Sequence, residues 1–276
     1  MSPRGELRSI ALSLTAVCAA GAFVLGVTYV LTERAQRATE AAGEKSAVSA
    51  LLALQPTDRL VVIAQSYDPA RREVTYRAGA WEGAGATTRL TFDLDGRLVA
   101  RAQAPAGETI PKGSLALGRL FVAYRGAKPL GFVVDGTTQG YKNRVRFLVG
   151  LSDSFAVTGV RVIEHEEDPG LGAEVARAWF GGQFIGRAAN ALPTLTVTRD
   201  PMPEDWKAAL ERLDRVPAAR WQADEATLVT RENTRPIYAV TGATISSRAL
   251  TDGVRSTVTH FRHRWALLAP ELEATP

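Results

Sequence analysis

Two short stretches of this chain hold residue types that could do chemistry. The first is Thr241-Gly242-Ala243-Thr244-Ile245-Ser246-Ser247-Arg248. It follows the strand-like run Pro236 to Val240 and opens a helical pattern with apolar residues at Ile245, Leu250, Val254, Val258, Phe261, Trp265 and Leu268. A helix N-terminus has unpaired backbone N–H groups and a positive dipole end, so small hydroxyl residues there make a natural phosphate site. The glycine spacing and lysine of a P-loop are absent. A Ser/Thr-rich helix cap without a ligand explains the same pattern. The second stretch is His165-Glu166-Glu167-Asp168-Pro169-Gly170-Leu171-Gly172. Asp168 as N-cap and Pro169 at the first helical position read as a helix start. Adjacent carboxylates in a turn diverge, so they do not make an acid–base pair. Gly170 and Gly172 each cost about 1 kcal/mol against Ala in a helix, which points to something flat approaching the backbone.

Composition narrows the chemistry. Cys18 is the single cysteine and His165, His260 and His263 are the three histidines. One thiol cannot build an iron–sulfur cluster, a structural zinc site or a c-type haem attachment. A redox role therefore needs an organic cofactor, with no metal. The net charge of +4 and pI of about 9.4 raise nucleic acid as a partner. Yet acids interleave with the basic residues throughout, and there is no basic stripe with aromatic platforms, so nucleic acid is not expected.

The elements that must position the motifs are legible from periodicity. From Arg59 onward the pattern turns towards two: RLVVIAQSY, EVTYRAG, TTRLTFDLDGRLVARAQA, RLFVAYRGAKPLGFVVDG and Val145 to His165. Asp95-Gly96 and Arg125-Gly126 supply hairpin turns. Helices are expected at AEVARAWF, PEDWKAALERL and Ile245 to Leu268. The fold class is α+β, with helices packed on a mostly antiparallel sheet.

The N-terminus reads as an anchor. Ser9 to Thr32 carries no charged residue and would be about 36 Å long as a helix, enough for a bilayer core. Apolar residues continue past Ala20-Gly21-Ala22, which favours an uncleaved span over a signal peptide. Arg4 and Arg8 before it, and Arg34 and Arg37 after it, nearly balance the positive-inside count. The expected layout is a tail at 1–8, a transmembrane helix at 9–32, a stalk helix at 33–56 and a strand-rich variable region at 57–119. The site domain follows at 120–268, with an insertion at 190–235 and a tail at 269–276.

Together, TGATISSRAL and D-P-G-L-G resemble the FMN-binding domain of the G subunit of the Rnf electron-transport complex. They are similar also to the C subunit of the sodium-translocating NADH:quinone reductase. The likeness runs from about Leu120 through Trp265 and includes Gly126 to Gly131, Gly140-Tyr141, Trp179-Phe180 and Gln183-Phe184. It implies that Thr244 carries FMN as a phosphoester, installed by a flavin transferase that uses FAD. It further implies that Thr241, Gly242, Ala243, Ser246 and Ser247, with Arg248 nearby, surround the phosphate. Gly170, Leu171 and Gly172 would meet the isoalloxazine. The implied function is electron relay within a membrane-bound, ion-translocating oxidoreductase, alongside its other subunits. The flavin would face the outer side of the cytoplasmic membrane, with residues 9–32 in lipid. A flavin-free membrane scaffold is the competing class. The family places an acid six positions before the modified threonine, where this chain has Tyr238, so restoring an acid there is expected to favour attachment. Asp168 stands where the family has threonine. Contacts with neighbouring subunits are the expected use of the insertions.

Overall fold

The computed structural model describes residues 3–81, 87–105 and 110–273. Helix α1 runs Pro3–Leu52; it covers the expected span and the expected stalk only as far as Leu52, four residues short of its expected end. Side chains at 3–13, 16, 34–38 and 40–41 lie outside the described set, and part of the expected span falls among them. Among the described residues no helix is long and apolar enough to cross a membrane. Apolar side chains nonetheless stand exposed along α1, including Val17, Phe23, Leu25 and Leu31.

Residues 3–46 and the rest of the chain form two units. The second is built on one antiparallel sheet. Its strands are β1 (Arg59–Asp68), β2 (Glu73–Ala80), β3 (Thr87–Asp93), β4 (Leu98–Ala104), β5 (Leu115–Arg125), β6 (Lys128–Gln139), β7 (Arg144–Ser152) and β8 (Val157–Glu164). Their order is β4-β3-β2-β1-β5-β6-β7-β8. The Asp95-Gly96 and Arg125-Gly126 turns stand where expected, each glycine at positive φ (81° and 64°). The strand-rich region before residue 120 is thus no separate body: β1 pairs directly with β5.

Strand alternation gives the sheet two apolar faces. On β5, Leu120 and Val122 join the main core, while Phe121 and Ala123 face the other way. The main core is closed by helix α6 (Thr244–Glu273), whose Leu250, Val254, Val258, Phe261 and Leu268 are buried at helical spacing. Phe132 packs edge-on against Trp265 at 4.6 Å. Burying a phenylalanine such as Phe132, Phe147 or Phe261 contributes about 1.5–3 kcal/mol, so this seam helps hold α6 on the sheet. Gly253 lets the helix lie close, since a Cβ there would come within 2.9 Å of Thr138 on β6. The opposite face is covered by Ala47, Val48, Leu51 and Leu52 at the end of α1. The expected stalk therefore ends as a packed element, because its last apolar residues recur at i, i+3 and i+4.

After β8 come a 3-10 turn at Gly172–Ala176 and helix α2 (Ala178–Gly182). The single helix expected over AEVARAWF is broken at Arg177, whose extended backbone (ψ 148°) ends one turn and starts the next. The insertion holds strand β9 (Val197–Thr198) and helices α3 (Glu204–Glu211), α4 (Ala218–Asp224) and α5 (Ala226–Glu232). Its core is Trp206, Leu210, Trp221, Val229 and Tyr238. Strand β10 (Ile237–Tyr238) pairs with β9 in parallel and leads into α6. Helix α6 runs past the expected boundary at Leu268 to Glu273; residues 274–276 lie outside the described set.

Candidate functional site

Both motifs are tight turns of the same kind. In Asp168-Pro169-Gly170-Leu171 the Leu171 N–H reaches the Asp168 carbonyl at 3.2 Å, with Gly170 at φ 75°. In Val240-Thr241-Gly242-Ala243 the Ala243 N–H reaches the Val240 carbonyl at 3.0 Å, with Gly242 at φ 81°. Positive φ at the third position marks a type II turn, which is why glycine stands there. The turns touch: a Cβ on Gly242 would lie 3.0 Å from Leu171 Cδ2. Leu171 is half exposed above that contact.

Asp168 does not cap a helix through its side chain. Its carboxylate pairs with Lys142 Nζ at 2.9 Å, because the turn places it towards the β6–β7 loop and not towards the next helix. Glu167, one residue earlier, is buried and holds the two motifs together. It accepts the Ser246 hydroxyl and, at 2.9 Å, the backbone N–H of Lys142. Gly172 is packed against the same side chain, where a Cβ would approach Glu167 Oε2 to 2.6 Å. Burial alone would raise the Glu167 pKa. The Ser246 hydroxyl and the N–H groups of Lys142, Tyr141 and Asn143 outweigh it and hold the carboxyl below its ordinary value.

Ser247 is fully buried. Its hydroxyl gives to the Ala243 carbonyl at 2.9 Å and receives the Val240 N–H at 3.0 Å, clamping the turn to the helix it precedes. Both serines are thus committed inward. Thr241 and Gly242 are exposed, Thr244 is half-buried as the first residue of α6, and Ala243 is buried beneath them. Ile245, part of the apolar stripe expected from sequence, is 58% exposed beside Thr244.

A cavity of about 740 Å³ opens on this surface. Gly170, Thr241, Gly242 and Thr244 line one side, together with Trp179. The other side is the insertion: residues 199–202 and α3, including Met202, Lys207 and Leu210. Sequence reasoning missed this wall. The parallel pairing of β9 with β10 is what places it, since the Ala239 N–H donates to the Thr198 carbonyl at 2.9 Å and both strands end at the cavity. The available signal was the spacing of Trp206, Leu210 and Trp221, which shows that the insertion has a core of its own. Leu171, Gly172, Ala243, Ser246, Ser247 and Arg248 are not in the cavity wall.

Tyr238 both contributes to the cavity lining and packs in the insertion core. It is 5% exposed, points into the insertion core and gives its hydroxyl to Glu232 at 3.1 Å. Gln183 holds its backbone on both sides, accepting its N–H at 2.8 Å and donating to its carbonyl at 3.1 Å. Arg187 closes the insertion behind it by donating to the carbonyls of Glu232, Asn233 and Arg235 at 2.9–3.1 Å. Burial pulls that guanidinium down to about 10, against the opposing charge of Glu232.

Residues 140–259 match the FMN-binding domain family. The chain is 30% identical over 138 residues to the G subunit of the proton-translocating ferredoxin:NAD(+) oxidoreductase complex of Clostridium ljungdahlii, covering 50% of this chain and 57% of that protein. It is 27% identical over 145 residues to the G subunit of the Na(+)-translocating ferredoxin:NAD(+) oxidoreductase complex of Acetobacterium woodii, covering 52% and 55%. The chain spans about half the length of the curated relatives it matches. Among solved structures, NqrC of Shewanella oneidensis aligns with a TM-score of 0.46 at 14% identity, over 79% of this chain and 91% of that one.

Proposed function

We propose that Thr244 carries FMN as a phosphoester and that the chain is a membrane-anchored electron-transfer subunit of an Rnf-type ion-translocating oxidoreductase. One observation carries the reading: the turns of the two motifs meet, Leu171 over Gly242, at the cavity whose wall contains Thr244. The residues present fit the group. Thr244 stands at the N-terminus of a long helix, where an anionic phosphodiester is favoured, and Gly242 leaves the approach to its hydroxyl narrow and open. Trp179, Met202 and Leu210 give the cavity apolar surface for a flat ring. Bound there, FMN supplies one- and two-electron chemistry.

The protein residues do the positioning. Glu167 and Ser246 fix the helix start against the Asp168–Leu171 turn, and Ser247 fixes the Val240–Ala243 turn against the helix. These serines act through the geometry of the turn, without facing the cavity. As a non-autonomous enzyme subunit, the chain would need the other subunits of the complex as donor and acceptor, and a flavin transferase to load it. The uncharged run from Ser9 to Thr32, with its exposed apolar side chains, supports the anchor. The packing of Tyr238 in the insertion core gives that residue a structural use whether or not a flavin is attached.

The test is the full chain co-produced with a flavin transferase and run on a denaturing gel. A fluorescent band is expected for the native chain and for Thr241→Ala, and none for Thr244→Ala. A fluorescent Thr244→Ala band would remove Thr244 as the attachment site.

A further inference from the structure

The insertion brings charge as well as surface to the cavity. Arg199 and Lys207 both line it, and among the described residues neither makes an ion pair or a side-chain hydrogen bond. Nearby arginines behave differently: Arg231 pairs with Asp205 and Glu232, and Arg187 caps three carbonyls. Arg199 leaves β9 directly after Thr198, alongside Ala239 and Val240, so the strand register puts it next to the turn that precedes Thr244. Lys207 stands on α3 across the cavity. Four carboxylates, Glu174, Asp200, Glu204 and Glu211, share the same wall. The two cations sit among these acids without being neutralised by any one of them.

Resting on the reading of this cavity as the flavin site, we propose that Arg199 and Lys207 offset the negative charge that reduction brings to the isoalloxazine, and so raise its reduction potential. Two-electron reduction with uptake of one proton leaves one negative charge on the ring, beside a wall that already holds four acids. Without the two cations those acids act unopposed, and reduction becomes harder. Fixed charges around a partly enclosed site act on the charge that develops within it, and salt screens them where solvent reaches. Arg248 on α6 is exposed as Arg199 and Lys207 are but lies outside the cavity wall, so the basic residues of the wall come from the insertion.

The experiment is a spectroelectrochemical titration of the full chain carrying covalent flavin. Three proteins are compared: the native chain, the double variant Arg199→Gln with Lys207→Gln, and the charge-conserving double variant Arg199→Lys with Lys207→Arg. The glutamine pair should keep its fluorescent band, show a midpoint potential shifted to more negative values, and lose part of that shift at high salt. The charge-conserving pair should stay near the native potential. An unchanged potential in the glutamine pair overturns the proposal, as does an equal fall in both pairs. Loss of the band in the glutamine pair alone would move the cations to flavin attachment and overturn the role in potential. Absence of the band from the native chain would instead remove the flavin reading itself, and this proposal with it.

Discussion

The Glu167 carboxylate accepts the Ser246 hydroxyl across 79 residues of sequence, and this bond joins the Asp168–Leu171 turn to the first turn of α6. Glu167→Ala leaves a buried hydroxyl and three N–H groups of the β6–β7 loop without their acceptor. A hydrogen bond to a charged group contributes about 1.5–3 kcal/mol, so we expect a loss of at least that size and weaker flavin labelling. Glu167→Gln keeps an acceptor oxygen and should recover most of the labelling. Thermal unfolding and gel fluorescence of the two variants check this; equal labelling of Glu167→Ala and the native chain would sink it.

The same residue sets an acid limit. Its pKa in the folded chain lies below the ordinary value of 4.5, so the folded state favours the ionised form. The stabilisation is fully present above the unfolded pKa and is lost as pH falls from there through the folded pKa. Between pH 7 and 5 this group should leave stability unchanged, and below about 4.5 it should contribute a decline that Glu167→Gln lacks. Denaturant titrations at stepped pH measure the difference. Parallel acid declines in both proteins would show that Glu167 is not the group responsible.

Gly242→Ala tests the turn itself. The new Cβ meets an unfavourable φ of 81° and a Leu171 methyl at 3.0 Å. Left-handed strain at a non-glycine residue costs about 1–2 kcal/mol, concentrated at the approach to Thr244. We expect slower covalent labelling with a small fall in melting temperature. Labelling at the native rate would mean that the turn tolerates a side chain and does not control access.

The strands were legible because half-buried strands alternate, and the hairpin glycines mark the turns between them. Leu250, Val254, Val258 and Phe261 announced α6 in the same way. The insertion was harder to read. Nothing in the local pattern of Val197 or Thr198 says that this short strand pairs with Ile237-Tyr238, and that pairing alone brings α3 to the cavity. Ser246 and Ser247 looked like phosphate ligands because a hydroxyl at a helix start serves a ligand or the fold equally well. In the fold, Ser246 bonds Glu167 and Ser247 bonds the Ala243 carbonyl, partners that the local sequence does not reveal. Asp168 misled for a similar reason: its pairing with Lys142 depends on a loop 26 residues away.

Tyr238 sets two expectations against each other. Judged from sequence, an acid at this position should favour flavin attachment. In the fold, Tyr238→Asp would bury a second carboxylate near Glu232, which is itself 1% exposed, and would remove a ring from the cluster that holds Trp206 and Leu210. A second buried carboxylate is costly even with Arg235 close by, and a large cavity costs about 3–5 kcal/mol, so we expect this variant to lose the insertion and the labelling together. Tyr238→Phe keeps the ring and loses two hydrogen bonds, to Glu232 and from Arg235, about 1 kcal/mol each. Limited proteolysis of the insertion should separate the two variants. A stable, well-labelled Tyr238→Asp would reinstate the acid as useful.

Orientation across the membrane is the remaining expectation that experiment can decide directly. Arg4 and Arg8 on one side of the uncharged run and Arg34 and Arg37 on the other give no strong charge bias. Long domains after a span translocate largely regardless of nearby charge, so an outward-facing domain is physically accessible. An outward site would also give the proposed covalent bond a purpose, since a dissociated cofactor would be lost from the membrane surface. We therefore expect protease added to intact spheroplasts to digest the domain that carries Thr244, and a membrane-impermeant amine reagent to label Lys142, whose side chain is 56% exposed. Protection of both until the membrane is lysed would place the domain inside and overturn the outward relay.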